Sequence, residues 1–101
     1  METQTRNAMI TYLQWNLERG LSHLIGVKIE NTHWAFGGYN LRGTRCAKWV
    51  RSIANTFDLE SFDDDQMIGN IVRIKTDENN RVVSIGHPIK DQWMVPEEIL
   101  N

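Results

Sequence analysis

Residues Gly37–Phe57, GGYNLRGTRCAKWVRSIANTF, constrain the fold more than any other stretch of this chain. A glycine-punctuated loop, Gly37 to Gly43, runs directly into a pattern with helical period. Cys46, Val50, Ile53, Ala54 and Phe57 recur at i, i+4, i+7, i+8 and i+11, which at roughly 100° per residue makes one apolar stripe. Arg45, Lys48 and Arg51 point away from that stripe, Arg42 stands just ahead of it, and Trp49 falls on the border. Gly43 eases the entry angle and Thr44 is the expected N-cap, its hydroxyl accepting from a first-turn amide. The spacing predicts a helix over 44–57 docked on a core.

A chain of 101 residues sustains one core and not two, so a single domain over 1–101 is expected, with 1–4 frayed. Hydrophobic residues make up 41% and charged residues 24%, the balance of a globular domain. A formal net charge of −2 gives no global field that would recruit nucleic acid or an acidic membrane, so any electrostatic role comes from local clusters. The single cysteine, Cys46, excludes an internal disulfide framework and is read as a small buried hydrophobe. The first residues lack a basic stretch followed by an apolar one, and no apolar run reaches membrane-spanning length. A cytoplasmic setting without membrane contact is expected.

Before the glycine loop, Met9, Ile10, Leu13 and Leu17 predict a helix over Thr5–Arg19 with Gly20 as C-cap. The competing pattern takes Leu13, Trp15 and Leu17 as alternate residues of a strand. Ile25, Val27 and Ile29 alternate with polar residues as in a half-buried strand. After the central helix, Asp58–Gly69 reads as an acidic connection with one helical turn held by Leu59, Phe62 and Met67. Asn70–Thr76 and Arg81–Gly86 flank the polar turn Asp77–Asn80 as a hairpin, with Val72 and Ile74 on one face and Arg73 and Lys75 on the other. Ile89–Val95 is a short edge strand carrying Trp93, and Pro96–Leu100 a last helical turn. The fold class expected is α+β: a three- or four-stranded, mainly antiparallel sheet with one or two helices on one face. The amino-terminal helix is also a candidate surface for homodimer formation.

Two charged clusters are candidate binding surfaces. Arg42, Arg45, Lys48 and Arg51 have no acid among them and can track a nucleic-acid backbone, with Tyr39 and Trp49 as stacking surfaces. Asp58, Glu60, Asp63, Asp64 and Asp65 form a carboxylate run suited to a cationic partner surface, which makes them the expected partner-binding residues. A solvated face is the plainer reading of both. The run lacks the spacing of a calcium loop. Gly38 and Gly43 have the glycine spacing of a phosphate-binding loop, but Thr44-Arg45 follows where Lys-Ser/Thr is required. His23, His33 and His87 are scattered, without the spacing of a zinc site. Ser52, Ser61 and Ser84 lie in no nucleophile-elbow motif. No catalytic residue, metal or cofactor is assigned, and no enzymatic activity is expected.

The run Ile68-Gly69-Asn70-Ile71-Val72-Arg73-Ile74, the segment Val82–His87 (VVSIGH) and Asp91-Gln92-Trp93 together resemble a pattern in uncharacterised small proteins of phages and prophages. The similarity covers roughly residues 27–95 and includes the GGY loop and the amphipathic helix. What it implies is a phage-encoded, non-enzymatic protein that binds and inhibits or modifies a host protein or ribonucleoprotein complex, such as a defence system, in the host cytoplasm. A nucleic-acid-binding accessory protein using the basic helix face is the alternative.

Overall fold

The computed structural model describes residues 3–18 and 20–101. Among the described residues nine elements follow one another: β1 (Gln4–Asn16), β2 (Ser22–Ile29), β3 (Thr32–Gly37), α1 (Thr44–Thr56), α2 (Asp64–Met67), β4 (Ile71–Thr76), β5 (Val82–Gly86), β6 (Trp93–Met94) and α3 (Pro96–Leu100). The strands form one six-stranded sheet in the order β3-β2-β1-β4-β5-β6, antiparallel at every pairing. The class is α+β, but the expected three or four strands are six and the one or two helices are three.

The largest correction is at the amino terminus, where the expected helix over 5–19 is the central strand β1. Its buried residues are Ala8 and Ile10, and past the bulge Leu13 and Trp15, half-buried and 38% exposed, pair with Ile25 and His23 of β2. A register shift between Ile10 and Tyr12 inserts Thr11 as an extra residue. Such a bulge breaks the period-2 alternation and leaves the apolar residues at spacings that mimic a helix. The dimer surface expected on that helix therefore has no helix to stand on. Gln4 already belongs to β1; the first two residues and Arg19, within the frayed end and the helix respectively, lie outside the described residues.

His33 to Phe36, read as a lead into the glycine loop, belong to the edge strand β3. A two-residue turn at Glu30-Asn31, with Glu30 at φ 53°, joins it to β2. Strands β3 and β5 are four places apart in the sheet yet approach each other, so the sheet is strongly curled. Across that curl the Trp34 indole Nε1–H donates to the Asn80 carbonyl at 3.0 Å. Arg6 lies over the Trp34 ring at 5.1 Å and donates to Asn80 Oδ1 at 3.3 Å.

Helix α1 fills the concave side. Its N-cap is Gly43 at φ 59°, a conformation that favours glycine, and Thr44 is the first helical residue with no side-chain cap. The buried stripe is Trp49, Ile53 and Thr56, rotated from the expected one, so that Cys46, Val50, Ala54 and Phe57 are only half-buried. Trp49 lies in the core and not on the border: it is 1% exposed and stacks on Phe36 at 5.7 Å. A ring of that size removes more apolar area from water than any other residue of the helix, which decides the rotation. Ile25, Val27, Val72, Ile74, Ile85 and Met94 complete the core from the strands.

The outer face of the sheet has two aromatic covers. Tyr12 lies on Gly26, and Trp93 lies on Gly86; a Cβ at either glycine would collide with the ring. Both glycines are buried beneath these rings.

Candidate functional site

Along α1, Arg45, Lys48 and Arg51 climb about 9 Å at the helical rise, with Arg42 in the preceding turn. Arg45 is half-buried and the other three are exposed. Among the described residues, none of the four has a carboxylate within 4.0 Å; the ion pairs present involve only His23, His87 and Lys90. Tyr39, expected to offer a stacking surface, is 41% exposed and leans on Trp49 at 5.9 Å.

The fold adds cations that the helix pattern does not include. A surface concavity of about 470 Å³ is lined by Lys48, Arg51, Ser52 and Asn55 of α1 together with Gln92 and Trp93. Trp93 in turn carries the Lys75 ammonium 4.1 Å and the Arg73 guanidinium 4.8 Å from its ring centroid. Lys75 also lines a second concavity, of about 550 Å³, with Tyr39 and Arg81. The contact between Lys75 and Trp93 thus joins the two hollows into one basic and aromatic band around the β6 edge. Arg73 is already engaged, donating to the carbonyls of His87 at 2.7 Å and Lys90 at 2.6 Å. Among the described residues, Lys48, Arg51, Lys75 and Arg81 have no carboxylate within 4.0 Å, although Glu98 lines the first hollow and Asp77 and Glu97 the second. Strand alternation does signal Arg73 and Lys75 on one outward face, but their meeting with α1 through Trp93 is a tertiary fact.

The acidic run is distributed differently. Asp58, at φ 56°, accepts from Lys90 Nζ at 2.7 Å and from Gln92 Nε2 at 3.2 Å. These two hydrogen bonds hold its carboxyl below the usual range. Asp63 caps α2 by accepting from the Asp65 amide at 3.0 Å. Asp64 turns toward the interior, its Oδ1 3.9 Å from His23 Nε2. Burial, then the neighbouring Asp65 and Asp63, push its carboxyl up. Glu60 and Asp65 are exposed and lack an ion pair among the described residues.

The histidines occupy three separate places. His23 is 1% exposed, accepts from Trp49 Nε1 at 3.1 Å, and packs against Trp15 at 4.4 Å. Burial lowers its pKa to about 4. His33 is exposed on β3. His87 accepts the amides of Ile89 and Lys90 on Nδ1, both at 3.0 Å, which leaves its proton on Nε2, 3.6 Å from Asp58. Each of the two engaged imidazoles therefore has its lone pair occupied by a donor. Neither has a free nitrogen to take a proton from a substrate. Among the described residues no serine or cysteine hydrogen-bonds to a histidine; Ser84 Oγ donates to the Met94 carbonyl at 2.8 Å.

Beside His87 opens an apolar cleft of about 350 Å³, with Ile10, Met67 and Val72 at its floor and Leu59, Ile71 and Pro88 among its walls. No protein-family model, curated protein or solved structure matches the chain.

Proposed function

We propose that the protein is a non-enzymatic nucleic-acid-binding accessory protein that engages a phosphate backbone through the basic band around Trp93. The observation that carries this reading is the convergence of Lys48 and Arg51 with Lys75 and Arg81, from separate parts of the fold and, among the described residues, without ion-pair partners. Cations brought together without neutralisation repel one another, whereas a polyanion relieves the repulsion and releases its counterions. Contact is mainly to phosphate and not by base stacking on Trp93, because that ring is already covered by Lys75, Arg73 and Gly86. The expected hold on a host protein through Asp58–Asp65 draws less support, since Asp58, Asp63 and Asp64 are all engaged within the chain.

Fluorescence anisotropy with a labelled 20-nucleotide single strand and a 20-base-pair duplex tests the proposal. Replacing Lys48 and Arg51, both exposed, together by glutamate is expected to weaken binding by roughly 100-fold or more at low salt, with melting temperature preserved. Equal affinity of wild type and variant, or no binding by wild type, would count against it.

A further inference from the structure

We infer, resting on the phosphate-binding role proposed for the basic band, that its second hollow takes one nucleotide of a single strand, with the base against Tyr39 and the phosphate on Lys75 and Arg81. The two hollows differ in make-up. The first joins cations to amide and hydroxyl side chains beside Trp93, a ring already covered. The second, of about 550 Å³, sets Tyr39, Lys75 and Arg81 around one space with an apolar wall of Val82, Val95 and Pro96. A nucleotide has the matching parts: an anionic phosphate, and a flat base that gains from stacking on an aromatic face.

Tyr39 is the available ring. Its contact with the buried Trp49 is tilted, 55° between planes at 5.9 Å, and leaves 41% of the residue exposed at the hollow. The segment that carries it is pinned on both sides. The Gly38 amide donates to the His23 carbonyl at 2.8 Å, and the Leu41 amide to the Leu21 carbonyl at 2.9 Å. Gly37 and Gly38, at φ 110° and 81°, permit that close approach, and a Cβ at Gly37 would collide with the His23 carbonyl. A ring held in this way needs little ordering when a base arrives.

The acids of the hollow fit the same occupant. Asp77 is committed to the hairpin turn, its Oδ1 accepting the Asn79 and Arg81 amides. Glu97, the other carboxylate, is exposed and lacks an ion pair among the described residues. It repels a bare phosphate chain but accepts from the exocyclic amine of a base such as cytosine. Only an unpaired base reaches Tyr39, because a base within a duplex must first be unstacked. The two hollows also meet around the β6 edge through Lys75 and Trp93, a turn that a single strand follows and a stiff duplex resists.

Anisotropy titrations on the intact chain compare a labelled 20-nucleotide deoxycytidine strand, an abasic strand of equal length and a 20-base-pair duplex. Wild type is expected to bind the deoxycytidine strand roughly 5-fold or more tightly than the abasic strand, and more tightly than the duplex despite the duplex's denser charge. Tyr39→Leu, which keeps an apolar contact for Trp49, should erase the advantage over the abasic strand, while Tyr39→Phe should keep it. Affinity for the abasic strand should be the same in all three proteins. The wild-type comparison depends on no variant folding. An abasic strand or a duplex bound as tightly as the deoxycytidine strand, or an advantage that survives Tyr39→Leu, would overturn the nucleotide pocket. If the abasic strand then still binds with a steep salt dependence, the phosphate-binding role stands without the pocket; failure of all three to bind would remove both.

Discussion

His23 has the environment with the clearest consequence for a single residue. Its side chain is fully buried, Trp49 donates to its Nδ1, and the one place for a second proton is that same nitrogen. Protonation therefore sets two donors against each other in a site that already disfavours charge. A fall from 6.5 to about 4 in the folded state corresponds to about 3 kcal/mol of stability. Because the folded value is the lower one, that stability is present above pH 6.5 and is lost as pH falls toward 4. Asp64 runs the other way: its raised carboxyl is relieved by protonation, which offsets part of the loss near its own range. Unfolding free energies from urea titrations between pH 7.5 and 4.5 should fall steeply below 6.5, by about 2 kcal/mol at pH 5. His23→Asn keeps an acceptor for Trp49 without a titrating group, and its curve should be flat over that window. A slope equal to that of wild type would assign the acid sensitivity elsewhere.

Among the elements, α1 and the bulged strand β1 show what the sequence discloses and what it conceals. The helix is legible because period 3.6 survives in its apolar residues. Its rotation is not, because Trp49 outweighs Val50 and Ala54 only once Phe36 is there to stack on it. The β4–β5 hairpin is legible for a local reason: Asp77 Oδ1 accepts from the Asn79 and Arg81 amides, both at 2.9 Å, and closes the turn within five residues. Strand β1 is masked by Thr11, since one extra residue changes the apparent period without changing the structure. Two substitutions test the packing. Ile53, 0% exposed on α1, placed as Ile53→Asp, should cost about 4 kcal/mol or more, or abolish folding, read by circular dichroism. Gly86→Ala would set a methyl 2.6 Å from Trp93 Cδ2 and 2.9 Å from the Gln92 carbonyl. The ring must leave, so a loss of about 1–3 kcal/mol should come with a red-shifted tryptophan emission.

Over the whole molecule, curvature makes the candidate surfaces. Because the sheet curls, α1 seals its open side and contacts β6 and α3, and its cations meet those of β4 at the β6 edge. No window of sequence contains this: Lys48 and Lys75 join only through Trp93, one residue of a two-residue strand. The same path returns the acidic run to the start of β4, where Leu59 and Met67 share a cleft with Ile71. The charge clusters are visible in the chain; which members stay free is decided by tertiary pairing, as Asp58 with Lys90 shows. The salt dependence of oligonucleotide affinity tests the basic band most directly. If Lys48, Arg51, Lys75 and Arg81 each displace a counterion from a single strand, log K against log salt should fall with a slope of about −3. In the Lys75→Ala, Arg81→Ala double variant that slope should drop to about −1.5. A slope that the double variant leaves unchanged, or a wild-type affinity indifferent to salt, would contradict a phosphate-binding role for this surface.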